Sequence, residues 1–241
     1  MKDLVVLSDA VSSTNAEGCE GEDIRGYRCI KDVYGIYDTR MKIYQSTSTS
    51  TMVVVFRPTQ STVEGEDIHK NRRLVSCIPL LGQGCLGRVH ERFQEAFLTL
   101  VKDIVDMELF LRGQNVYLTG HSLGGSLQLM MGVYLYYNHS IVPQKMIGFA
   151  GPFIGDELFT QKYIDGLRSV MLEDSAWQIE TFSNTNPEQY DGTAEGYQVD
   201  GPPYMDIDGS MICGLGIDPL SPQESYGMHD LKNYALFFQA P

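Results

Sequence analysis

The residues best placed to do chemistry are Gly120-His121-Ser122-Leu123-Gly124, a serine between two glycines at G-x-S-x-G spacing. The apolar run Gln114-Asn115-Val116-Tyr117-Leu118-Thr119 precedes them, and a helix-like run, Ser126-Leu127-Gln128-Leu129-Met130-Met131, follows. Strand, sharp turn and helix are the context of a nucleophile elbow. Such a turn requires small residues beside the serine. It also lifts the serine hydroxyl above the sheet edge, where the N–H groups opening the helix face any oxyanion that forms.

A serine hydroxyl is a weak nucleophile near neutral pH and needs a base, itself oriented by a third group. The histidines are His69, His90, His121, His139 and His229. His121 adjoins Ser122, and on a sharp elbow its ring points away, into the sheet. His139 ends the helix after the elbow, and His69 and His90 lie upstream. In the chain order Ser…Asp/Glu…His the base comes last, which selects His229. The orienting group is expected after a strand ending near Phe182, where Asn186, Glu188 and Asp191 are all candidates. For the oxyanion, one donor is the amide of Leu123. A second is expected after the strand Met52–Phe56, at Thr59. Each such donor is worth about 3 kcal/mol in the transition state.

The elements that must position these groups follow from periodicity. Residues 1–30 are polar and glycine-containing with no clear period, and are expected to form an arm over the core. Asp32–Tyr37 and Met41–Tyr44 are expected as short strands, and Ser46–Thr51 as a Ser/Thr loop. The unbroken apolar, β-branched run Thr51–Phe56 predicts a strand buried on both faces. Residues 57–87 are glycine-punctuated and irregular. Phe93, Phe97, Leu100, Val101, Ile104 and Val105 predict an amphipathic helix from Val89 to about Leu111. A helix over Leu123–Asn138, a buried strand Lys145–Phe149 and a strand over Ala176–Phe182 come next. Residues 184–226 read as loops or short strands, and Leu231–Phe238 as a final helix or strand. Strands alternating with long helices imply a central, mostly parallel sheet with helices on both faces.

At 241 residues, the chain is the length of one α/β domain, which often runs to roughly 200–250 residues. Residues 32–241 are expected as that domain, with residues 1–31 as the arm. A formal net charge of −13 argues against nucleic acid and strongly anionic membranes as partners, since both require neutralising phosphates. A neutral lipid droplet or a soluble ester is compatible. No run approaches the roughly 18 apolar residues of a membrane span. The four consecutive apolar residues Leu4–Leu7 are short against a signal-peptide core of about 7–15, so a cytoplasmic or particle-associated protein is the expectation. Of five cysteines, Cys77 and Cys85 close a short loop and Cys19 and Cys29 sit near each other, leaving Cys213; the alternative is five thiols. No Cys/His spacing suggests zinc, and no metal or cofactor is expected.

With these residues in view, the chain resembles the class 3 lipases of fungal and plant type, an α/β-hydrolase-fold family, over about residues 32–238. Val53-Val54-Val55-Phe56-Arg57-Pro58-Thr59 resembles the strand leading to F-R-G-[ST], and Asp67-Ile68 a short Asp-Leu element. Val89-His90-Glu91-Arg92-Phe93-Gln94-Glu95-Ala96-Phe97 resembles V-H-x-G-F-x-x-A-[YF], and Gly120–Gly125 is G-H-S-L-G-G unchanged. Gly148–Asp156 is similar to T-F-G-x-P-x-x-G-[ND], Gly196–Val199 to G-Y-x-H, and His229–Tyr234 to H-x-x-Y. The resemblance implies Ser122 as nucleophile, His229 as base, and Thr59 with Leu123 as the oxyanion hole. It also implies a lid or loop cover within residues 60–87, with Ile78-Pro79-Leu80-Leu81 as an apolar stretch able to meet lipid. The implied activity is hydrolysis of lipid esters, glycerides first. Three positions depart from the pattern: Pro58 for glycine, Arg92 for glycine, and Asn186-Pro187 where the family has an aspartate before proline. An asparagine can orient an imidazole but cannot stabilise its cation by charge. The alternative reading is therefore a catalytically weak lipase-fold protein that binds a lipid or protein partner.

Overall fold

The computed structural model describes residues 2–13, 18–70, 73–102, 111–149, 151–152, 154–173, 178–183, 204–207 and 210–213. Its central element is β4 (Thr51–Phe56), buried at every residue. Alternation divides the strand: Met52, Val54 and Phe56 join the larger core cluster, while Val53 and Val55 join a smaller one on the other face. β4 runs parallel to β7 (Asn115–His121), β7 to β8 (Lys145–Phe149), and β8 to β9 (Gln178–Ser183). One row crosses all four strands near their carboxyl ends: Phe56, Gly120, Gly148 and Thr181.

Antiparallel strands flank this parallel centre. On one side lie β1 (Asp23–Ile24), β2 (Tyr27–Tyr34) and β3 (Arg40–Ser46); on the other lie β10 (Tyr204–Ile207) and β11 (Ser210–Cys213). Among the described residues nine strands form one mixed sheet, in which the parallel arrangement runs through β4, β7, β8 and β9. A separate pair joins β5 (Leu74–Ser76) and β6 (Arg88–His90).

Helices cover both faces. α1 (Lys2–Ser13) places Leu4, Leu7 and Val11 against Tyr44, Val53, Val55, Ile147 and Phe149. Their i, i+3, i+7 spacing carries a helical signal that the polar Ser8, Asp9, Ser12 and Ser13 dilute, so part of the expected aperiodic arm is a packed helix. The opposite face holds α2 (Val63–Lys70), α3 (Ile78–Leu81), α4 (Glu91–Val101) and α5 (Leu123–His139). α6 (Glu157–Phe159), a π-helical turn (Thr160–Ile164) and α7 (Asp165–Glu173) follow β8.

Several expected boundaries move for local reasons. β2 begins at Tyr27 and stops at Tyr34, because residues 35–39 turn back, with the Gly35 amide donating to the Thr39 carbonyl (2.9 Å). Tyr37 and Asp38 both have positive φ (58° and 54°), which a strand cannot accommodate. Val89 and His90 belong to β6 rather than to the next helix. α4 starts at Glu91, capped by the His90 ring, whose Nδ1 accepts from the Phe93 amide (3.3 Å). Within residues 57–87, expected to be irregular, α2, β5 and α3 form. The expected termini of the α4 region near Leu111 and of the chain at Leu231–Phe238 fall partly or wholly outside the described residues.

Cys19 pairs with Cys29 and Cys77 with Cys85. The segment closed by the first bridge lies over buried charges. Arg40 and Asp32 are 1% and 4% exposed and bonded twice, Nε to Oδ1 (2.8 Å) and Nη2 to Oδ2 (2.6 Å). The Gly18 amide (2.8 Å) and the Tyr34 hydroxyl (3.0 Å) also donate to Asp32 Oδ2. Lys42 and Tyr44, both fully buried, donate to Glu22. Burial pushes the Asp32 carboxyl up, but its donors outweigh burial and hold it below the ordinary carboxylate value. A lowered folded value means stability present at neutral pH and lost as pH falls through that value. Asp32→Asn is therefore expected to cost about 3 kcal/mol at neutral pH. The gap from the native chain should shrink as the pH drops below about 4, and a gap constant from pH 7 to pH 3 in urea melts would contradict the assignment.

Candidate active site

Ser122 sits where β7 ends and α5 begins, at φ 54° and ψ −126°. A positive φ on a residue other than glycine costs about 1–3 kcal/mol and persists only where its surroundings impose it. Here the backbone does so from both sides. The Ser122 amide donates to the Phe149 carbonyl (2.8 Å) at the end of β8, and the Gly125 amide donates to the Ser122 carbonyl (2.8 Å).

The adjacent glycines are required by close approach. A Cβ on Gly120 would lie 2.3 Å from the Gly124 carbonyl oxygen, and one on Gly124 would lie 2.3 Å from the Phe56 carbonyl oxygen. Gly125 and Gly151 meet in the same way: a Cβ on Gly125 would lie 3.0 Å from the Gly151 Cα. α5 can thus begin directly against the carboxyl ends of β4 and β8. Its first residue is Leu123, whose amide is one of the helix-opening N–H groups without an intrahelical partner. Ser126 Oγ, one turn on, donates to the Pro152 carbonyl (2.5 Å) and ties α5 to the chain leaving β8.

The segment carrying Thr59 leaves β4 beside this turn. Arg57, 5% exposed, forms an ion pair with Asp38 and donates from Nη2 to the Asp38 carbonyl (2.6 Å), while its amide donates to Arg40 (2.9 Å). Asp38 Oδ2 also accepts from the Thr62 hydroxyl (3.0 Å), and Thr62 Oγ1 in turn accepts from the Gly65 amide (2.9 Å) at the start of α2. Asp38 therefore holds the loop on both sides of Thr59. Pro58 fits the loop: its carbonyl accepts from Gln60 Nε2 (3.1 Å), and the N–H it lacks is not the expected donor. Asp38 and Thr62 carry no motif in the sequence. Asp38 lies in a turn, and only the folded sheet shows that it faces Arg57.

Three histidines of the described part are excluded as bases by placement. His90 is fully buried, caps α4 and stacks on Phe93 at 3.9 Å. His121 is buried, as an elbow predicts. His139 ends α5 with its ring 4.9 Å from Tyr134. α5 spans 17 residues, or about 25 Å at 1.5 Å per residue, so His139 is at the far end from Ser122. The same holds for Ile78–Leu81: the Leu80 carbonyl accepts from Asn138 Nδ2 (2.9 Å), beside His139. Of residues 60–87, the element joined to the Thr59 loop is α2. The expected His229, Asn186, Glu188 and Asp191 lie outside the described residues; β9 ends at Ser183, on the sheet edge that carries Ser122. Among the described residues no three His, Cys, Asp or Glu side chains gather as a metal site requires, and no helix is long and apolar enough to cross a membrane.

Comparison with known proteins gives the family and the fold. The family model for lipase (class 3) matches residues 48–176, more than half of the chain. The structure of Lip2 lipase from Yarrowia lipolytica superposes with a TM-score of 0.62 at 16% identity, covering 82% of this chain and 74% of that one. The Rhizomucor miehei triacylglyceride lipase gives 0.55 at 20% identity, covering 78% and 79%. Lipase II from Rhizopus niveus gives 0.53 at 22%, covering 69% and 66%. These solved structures share the α/β-hydrolase fold with this chain. A search of the curated proteins finds no match.

Gly124→Ala tests the elbow directly. Its Cβ meets backbone rather than a movable side chain, so a loss of at least about 1–3 kcal/mol is expected in urea unfolding. An unchanged midpoint would mean that α5 does not abut β4 as described.

Proposed function

This chain belongs to the class 3 lipase family, and on that premise we propose that it is a serine hydrolase of lipid esters. Ser122 attacks the ester carbonyl and transfers its proton to His229. The oxyanion is held by the Leu123 amide and by Thr59; its collapse expels the alcohol, which takes the proton from His229, and water then hydrolyses the acyl-enzyme to release the acid. The observation that carries this reading is the left-handed Ser122 at the junction of β7 and α5, between glycines at which a Cβ would lie 2.3 Å from backbone oxygens. Strain of that kind at a strand–helix corner has a use when it exposes a hydroxyl. The described Thr59 segment supports the second donor, because Asp38 fixes it beside the end of β4. The triacylglyceride lipase among the structural neighbours makes glycerides the first substrates to try. The two cysteine bridges favour an oxidising compartment over the cytoplasmic or particle-associated placement expected from the amino-terminal residues.

A fluorophosphonate probe is expected to label the native protein on Ser122, with Ser122→Ala unlabelled. A native chain that resists the probe would refute the assignment.

The second reading rests on Asn186, which stands where the family pattern has aspartate. A neutral orienting group attenuates turnover, by about 10⁴ where the exchange is known in a serine protease. Asn186→Asp is expected to raise kcat on p-nitrophenyl butyrate at least tenfold if Asn186 holds the imidazole, and turnover that is unchanged assigns the role to Glu188 or Asp191.

A further inference from the structure

α2 is a short helix. Its eight residues fall short of the roughly 12–15 at which an isolated helix becomes even marginally stable in water. Of its described side chains, Ile68 is the buried apolar group, and Val63 is 77% exposed. Yet α2 begins four residues after Thr59, so any looseness in it passes to the proposed oxyanion loop.

Arg92 ties α2 to α4. Its Nη1 donates to the Asp67 carbonyl (2.6 Å). Asp67 lies in the last turn of α2. A guanidinium there also complements the negative end of the helix dipole. Within its own helix the same charge is misplaced, because Arg92 is the second residue of α4, where the dipole disfavours a cation. A local penalty of this kind signals a compensating role elsewhere in the fold.

Arg92 reaches the other end of the segment as well. Its guanidinium lies over the Tyr37 ring, 5.1 Å from the centroid, and the Tyr37 hydroxyl donates to Glu95 Oε2 (2.6 Å). The next residue, Asp38, binds both Arg57 and Thr62. We propose that Arg92 is a positioning residue for the oxyanion loop. It clamps residues 57–70 directly at Asp67, and through the Tyr37–Asp38 turn at Arg57 and Thr62. The V-H-x-G-F pattern has glycine at this position, so the pattern itself does not supply the clamp. The catalytic part of the proposal rests on the ester-hydrolase reading above.

The test compares native protein with Arg92→Gly by amide hydrogen exchange and by hydrolysis of p-nitrophenyl butyrate, a soluble ester. Losing a charge-assisted hydrogen bond is expected to speed exchange over residues 57–70 by about tenfold or more, with β7 unchanged. On the ester, kcat should fall roughly tenfold with KM within about twofold, less than the 10²–10³ cost of deleting a donor outright. Unchanged exchange over 57–70, an equal rise in β7, or a kcat that holds or increases would each overturn the clamp. Arg92→Gln keeps helix propensity in α4 and removes the charge; it answers to the same outcomes where glycine prevents folding. Exchange is read without substrate, so a native chain inert toward the ester refutes the hydrolase reading and leaves the exchange result to decide the clamp.

Discussion

The fold turns on how closely three backbone segments approach one another at the corner between β7 and α5. Gly120 lies under Gly124, Gly124 lies against the Phe56 carbonyl, and Gly125 lies against Gly151. A Cβ on Gly120, Gly124 or Gly151 would lie within 3.0 Å of backbone, and one on Gly125 would sit tightly against Gly151. Because these contacts are met, α5 starts at the sheet edge rather than after a looping connection, and Ser122 must take a left-handed conformation to make the corner. The same approach brings the amide of Leu123 and the exit of β4 to one place, so a single packing constraint assembles Ser122 and the surroundings of the proposed oxyanion site.

Around that corner the chain uses charge pairs as positional ties. Arg40 with Asp32, Lys42 with Glu22 and Arg57 with Asp38 all lie in the antiparallel strands or the turns flanking them. Removing such charges from water is costly, and ion pairs of this kind contribute less to stability than their geometry suggests. They do fix where a loop lies, because a guanidinium accepts few alternative partners once it is buried. Arg57 and Asp38 apply this to the loop holding Thr59, and Arg92 applies it to the helix that follows.

The departures from the family pattern read differently once placed in three dimensions. Pro58 costs the loop nothing, since its carbonyl is bonded to Gln60 and the donor expected of the loop is the next residue. Arg92 is not an exposed surface change but a contact between α4 and α2.

Short-range rules account for what was legible in the sequence. G-x-S-x-G between an apolar run and a helical run identifies the elbow, because only small residues fit a strand-to-helix corner. The unbroken Thr51–Phe56 run identifies a strand buried on both faces, because no polar position interrupts it. Lys145–Phe149 appears with its boundaries intact for the same reason. What the sequence alone left open depends on partners distant along the chain. The α1 helix is defined by burial against Tyr44, Val53 and Phe149 rather than by a strong period of its own. The mixed character of the sheet arises from which strands pair, and that Asp38 faces Arg57 across 19 positions arises from the β3–β4 register. Periodicity reports how a residue relates to its near neighbours along the chain; only tertiary packing decides which distant backbone it meets.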